Sequence, residues 1–212
     1  ERGLTLSSVA QAAWGVVLSR LTGRADVVFG TTVSGRAADV PGIESMVGLF
    51  VNTVPVRVQA DHHVGLARLA GQVQSAHVEL LGHQHLGLGE LQRLAGADGD
   101  LFDTLVVVEN YPMPDQVRDP AGTVRITDVR FVESGHYPFT VTVLPGRTLR
   151  LEINHDPHRI GRQRAQAVAT ALEQVLHQFA VAPDRPVGRL DLVDEPGRRA
   201  LATGMRGQPR DH

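Results

Sequence analysis

Two β-branched runs, Val27-Val28-Phe29-Gly30-Thr31-Thr32-Val33 and Val51-Asn52-Thr53-Val54-Pro55-Val56-Arg57-Val58, flank a loop that holds Ser34, Gly35, Arg36, Pro41, Gly42, Glu44 and Ser45. No other stretch constrains the fold as tightly. The first run is short, apolar and closed by turn residues, so it reads as a buried strand. The second alternates from Val54 to Val58, with Pro55 and Arg57 on one face, as a half-buried or edge strand does. Gly30, Gly35 and Gly48 suggest tight turns or close backbone approaches. Ser34, Arg36, Asn52 and Thr53 gather at the strand ends, where α/β proteins tend to place binding groups. Pattern alone leaves two roles open for them: satisfying the strand ends, or meeting a ligand.

The remaining chain supplies elements to cover such strands. Residues 4–21 read as an amphipathic helix, capped by Ser7 or Ser8, with Val9, Ala13, Val16, Val17 and Leu21 at helical spacing and Trp14 as core. A second helix spans residues 66–81, with Leu66, Leu69, Ala70, Val73, Ala76, His77 and Leu80 near one face. Residues 101–112 form a buried strand, and residues 123–132 another. Two more strands, 137–144 and 149–154, make a hairpin around Pro145-Gly146-Arg147. Residues 161–180 close the order as a long helix striped by Ala165, Val168, Ala169, Leu172, Val175, Leu176 and Phe179. This order predicts an α/β fold, a layered mixed β-sheet with flanking helices.

Composition excludes several function classes. There is no cysteine, hence no disulfide, thiolate metal site or cysteine nucleophile, which is compatible with a cytoplasmic protein. The 21 basic residues are scattered among 23 acids for a net charge of −2, so nucleic-acid binding has little support. No apolar run approaches the roughly 18 residues of a membrane span. The first methionine is Met46, inside the central stretch, so the chain reads as a piece of a longer protein.

Gly30-Thr31-Thr32-Val33-Ser34-Gly35-Arg36 and Val47-Gly48-Leu49-Phe50-Val51-Asn52-Thr53 resemble two consecutive motifs of condensation domains from nonribosomal peptide synthetases. The family carries them roughly as G-x-x-x-S/A-G-R and I/V-G-x-F-V-N-T. His83-Gln84-His85-Leu86-Gly87-Leu88 is similar to the family's H-Q-D-x-P-F segment, with His85 in place of Asp, and Gly99-Asp100-Leu101-Phe102 to a reduced N-P-L-F. The resemblance implies the C-terminal half of a chloramphenicol-acetyltransferase-like fold, with a lobe over residues 1–182 and a partly disordered exit linker over 183–212. It implies one wall of a substrate tunnel, built by Ser34, Gly35, Arg36, Asn52 and Thr53. It also implies partners: the N-terminal lobe of the same domain, donor and acceptor carrier proteins and a downstream adenylation domain. No cofactor binds directly, because the substrates ride on phosphopantetheine arms of the carriers.

In that family the second His of H-H-x-x-x-D-G acts as base or positions the nucleophile. His62-His63 is a decoy for it, since Ala67 and Arg68 stand at the Asp and Gly positions and the family motif precedes S-G-R. No catalytic residue is therefore expected in this chain, and alone it should be inactive and prone to self-association. His83 and His85 lack a third metal ligand and suit a structural role. Arg36 is either a tunnel group or an anchor pairing with Glu44 or a main-chain carbonyl. The intact domain is an amide-forming enzyme, or an inactive relative that recruits a partner, or an epimerization domain.

Overall fold

A computed structural model describes residues 2–36, 40–109, 136–193 and 197. The strand expected over residues 123–132 and the tail beyond Gly197 lie outside the described residues. Five strands form one mixed sheet: β1 (Asp26–Val33), β2 (Asn52–Gln59), β3 (Thr104–Val108), β4 (Phe139–Leu144) and β5 (Arg150–His155). Their order is β2-β1-β3-β4-β5. The β1–β2 and β4–β5 pairs are antiparallel, while β3 runs parallel to β1 and β4. The mixed sheet is the expected one, and β2 is indeed an edge strand, which is where Pro55 does least harm. β1 departs from a fully buried run: Val28 is 37% exposed, on the face away from the helices.

The helices are α1 (Leu6–Thr22), α2 (Leu66–Leu80), α3 (Leu88–Leu94) and α4 (Arg162–Val181). Thr5, not Ser7 or Ser8, caps α1: its hydroxyl accepts from the Ser8 amide at 3.1 Å, and Ser8 is buried one turn in. Gly23, at φ 68°, ends the helix in the left-handed region. α1 is the central helix, touching α2, α4 and the sheet. Its buried surface is therefore wider than one stripe, and small residues such as Ala10, Ala12 and Ala13 line it. Gly15 lets it lie close to β2, since a Cβ there would stand 2.6 Å from Val58 Cγ1. Leu21, counted on the apolar stripe from sequence, is instead exposed.

Trp14 is core as expected, stacked on Phe139 with ring centroids 5.4 Å apart. Its indole donates to Thr104 Oγ1 at 3.3 Å, and Gln11 Nε2 donates to Thr31 Oγ1 at 3.1 Å. Thr31 in turn donates to the Val106 carbonyl at 2.8 Å. This polar seam fixes the register of α1 on β1 and β3. On α2 only the first half docks: Leu66, Leu69, Ala70 and Val73 are buried, whereas Ala76 is exposed.

Residues 183–192 pack onto the same core, with Val187 and Leu190 buried. The first amides of α2 find their acceptors there, Leu66 on the Arg185 carbonyl at 3.2 Å and Ala67 on the Pro183 carbonyl at 2.7 Å. Gln178 of α4 holds the segment from the other side. Its amide donates to the Asp191 carbonyl at 2.6 Å and accepts from the Asp191 amide at 3.2 Å and from Arg185 Nη1 at 2.9 Å.

The helices that cover the sheet, α1, α2 and α4, all lie on one face. Phe29, Val54, Val56, Val106 and Val141 point toward them. By strand alternation Gly30, Thr32, Thr53, Thr140 and Thr142 point the other way. That hydroxyl-rich second face borders the candidate site.

Candidate functional site

The central motif residues meet at one end of the β1–β2 pair. Val33, the last residue of β1, pairs with Asn52, the first of β2, and Thr32 pairs with Thr53. Ser34 follows Val33 and is exposed. Gly35 has φ 64°, a conformation open to glycine, and a Cβ there would lie 1.9 Å from the Phe50 carbonyl oxygen. Two constraints therefore require glycine at one position, and together they bring the two ends of the loop into contact.

Arg36 turns back into that loop. Its Nη1 donates to the carbonyls of Ile43 and, at 3.1 Å, Met46, while the guanidinium lies 4.5 Å from the Phe50 ring centroid. Of the two roles left open by sequence, the observed contacts are those of a main-chain anchor. Asn52 is likewise fully engaged. Its Nδ2 donates to the carbonyls of Gln84 and Leu86, each at 2.8 Å, and its Oδ1 accepts from the Thr53 amide at 2.9 Å. The degenerate segment around His83 and His85 thus serves through its backbone, with Gln84 buried beneath. His62 and His63 are exposed in the turn before α2, where the His62 carbonyl accepts from the Gly188 amide at 2.8 Å.

Thr53 leads to groups that sequence reasoning missed. Phe102 fills the space over Gly30, where a Cβ would stand 2.2 Å from its ring. Tyr137 stacks on Phe102 with centroids 5.4 Å apart, and its phenol is hydrogen-bonded to Thr53. Burial and, secondarily, the Asp100 carboxylate raise the Tyr137 pKa above the usual phenol value, against a smaller opposite effect of Thr53. The phenol is thus neutral and able to donate near pH 7. Gly30 and Phe102 lie 72 positions apart in separate motifs, and nothing in the sequence pairs them or joins Tyr137 to Thr53.

Two surface grooves, of about 670 and 640 Å³, lie elsewhere. One is lined by Arg2, Asp184, Arg185 and Arg189, the other by Gln166, Thr170 and Leu192. Among the described residues no group of three or more His, Cys, Asp or Glu could hold a metal ion. No helix among them is long and apolar enough to cross a membrane.

Comparison with known proteins matches this geometry to a family. Residues 1–202 match the family model "Condensation domain". The chain is 38% identical over 208 residues to the chondramide synthase cmdD of Chondromyces crocatus, covering 97% of this chain and 5% of the relative. It is 41% identical over 194 residues to the vanchrobactin synthetase VabF of Vibrio anguillarum, covering 91% and 7%. Among solved structures, the first condensation domain of the calcium-dependent antibiotic synthetase, in complex with a substrate analogue, superposes with a TM-score of 0.69 at 22% identity. The complex of the X-domain and OxyB from teicoplanin biosynthesis does so with a TM-score of 0.72 at 22% identity. The chain spans 42% and 44% of those two solved chains, with 91% of its own length in each case. It belongs to the condensation-domain family of nonribosomal peptide synthetases and has the fold of the C-terminal lobe of that chloramphenicol-acetyltransferase-like architecture.

Proposed function

We propose that this lobe forms one wall of the tunnel in which a condensation domain joins a carrier-bound aminoacyl or peptidyl thioester to an amine acceptor. The observation that carries the reading is the convergence of Ser34, Gly35, Arg36, Asn52 and Thr53 at one end of β1 and β2, beside the sheet face turned away from the helices. In the reaction the acceptor nitrogen attacks the thioester carbonyl, the C–N bond forms and the C–S bond breaks. The carrier thiol leaves and the amine loses a proton. The base for that proton stands outside this chain, since His62-His63 lacks the expected motif and lies in a remote turn.

Within the wall the residues divide by role. Arg36 and Asn52 are positioning residues, since every contact described for them is to main-chain or ring atoms of this chain. Ser34 offers its exposed hydroxyl toward the passage, and Thr53 contributes through the phenol of Tyr137. Further partners on this reading are the rest of the domain, donor and acceptor carrier proteins bearing phosphopantetheine, and an adenylation domain, all in the cytoplasm.

A second reading is kept by the likeness to the X-domain that was solved with OxyB: an inactive relative that recruits a partner enzyme. One experiment separates them. The intact synthetase carrying this chain is supplied with loaded donor and acceptor carriers, and the amide product is followed by mass spectrometry. The tunnel reading expects product, reduced roughly tenfold to a hundredfold by Arg36→Ala through misplacement of the loop. Absence of product from a fully loaded, folded parent enzyme sinks it in favour of recruitment.

A further inference from the structure

The aromatic pair Phe102–Tyr137 stands on the hydroxyl-bearing face of the sheet, and Tyr137 lies outside the motifs. Phe102 is held in place from below, because only the missing side chain of Gly30 leaves room for its ring. Tyr137 is held twice, by the stack on Phe102 and by Thr53 at the start of β2. Thr53 itself is fixed by its strand pairing with Thr32 and by Asn52. The phenol is thus tied to β1 through Phe102 over Gly30 and to β2 through Thr53, yet Tyr137 is only half-buried. When the phenol oxygen accepts from the Thr53 hydroxyl, its own proton is left to donate outward. The same face carries the hydroxyls of Thr32, Thr140 and Thr142, and the Asp100 carboxylate is near enough to act on the phenol.

We infer that Tyr137 is a substrate-binding contact of the tunnel wall, its phenol donating a hydrogen bond to an amide carbonyl of a pantetheine arm. The inference rests on the tunnel reading of the preceding subsection. A neutral donor beside an aromatic surface suits a chain that alternates amides and methylenes: the carbonyl takes the proton and the methylenes lie along the ring. Tyrosine also brings this contact at low entropic cost, as its ring is already fixed.

The test is a titration of the intact synthetase with free pantetheine, followed by saturation-transfer NMR and corrected for folded fraction. Parent protein is expected to bind, and Tyr137→Phe to raise Kd roughly 5- to 10-fold, the effect of one neutral hydrogen bond. Thr53→Val, which frees the phenol to rotate, should raise Kd in the same direction, and the double variant should match Tyr137→Phe alone. A Tyr137→Phe protein that folds and keeps the parent Kd overturns the inference and leaves the tunnel reading standing. If Tyr137→Phe does not fold, an unchanged Kd in Thr53→Val overturns it. Failure of the parent to bind pantetheine overturns both the inference and the tunnel reading.

Discussion

Asn52 illustrates how much a single amide can hold. Its nitrogen fastens the 84–86 backbone to the edge of the sheet, and its oxygen caps the first amide of β2. Asn52→Ala should therefore cost about 1–3 kcal/mol of stability in urea unfolding, with hydrogen exchange fastest around residues 84–86. An unchanged midpoint would refute the clamp. Gly35→Ala should cost more than a typical surface change, about 1–3 kcal/mol, because strain at positive φ is added to collision with the Phe50 carbonyl. The motif marked both residues in sequence, since glycine and asparagine at strand ends signal special backbone. It could not say what they touched. The partners of Asn52 lie 32 and 34 positions away, and backbone carbonyls have no letter of their own in a sequence.

At the scale of elements, periodicity located α1, α2 and α4 and alternation located the hairpin, because each buries one face and the pattern records it. Periodicity misled where several elements share a helix. α1 is wedged between two helices and the sheet, so small residues line much of its buried surface, while on the far half of α2 Ala76, placed on the apolar face by its spacing, is exposed. α3 left no trace, as it buries none of its residues and opens on glycines. His77, on the outer half of α2, is half-buried and its titration reports on that burial. Burial lowers its pKa below the usual 6.5, outweighing a hydrogen bond to the Val73 backbone. The folded state then favours the neutral ring, so its contribution is present above about pH 6.5 and is lost as acidification passes through the lowered folded pKa. His77→Gln should flatten the decline in melting temperature as the pH falls below about 6.5, and identical pH profiles would count against it. Gln178 makes a complementary case. It lies on the buried face of α4, where sequence suggests an apolar residue, and Gln178→Ala should cost about 1–3 kcal/mol by leaving Asp191 and Arg185 with fewer partners.

For the whole molecule, the motif order carried the family assignment. What the fold added was the asymmetry of the sheet, with its main helices on one side. The loop between β1 and β2 also presents Val47, Leu49 and Val51, of which Val47 and Leu49 are more than 90% exposed. Such a cluster favours association. Sedimentation of the isolated chain should show concentration-dependent dimers or larger species, suppressed by Val47→Asp with Leu49→Asp; a strict monomer at high concentration would contradict this. The same isolated chain, given loaded carriers, should form no dipeptide above the uncatalysed rate, and clear turnover would place a base within these residues. Residues 183–192 bear on a practical matter, the exchange of such lobes between synthetases. The end of α4 at Val181 looks like a natural seam, yet a graft joined there would strip the two carbonyls that close α2 and the backbone that Gln178 grips. A splice placed beyond Leu192 would carry the strap with its own helices, and the transplanted lobe would arrive with its helix ends already closed.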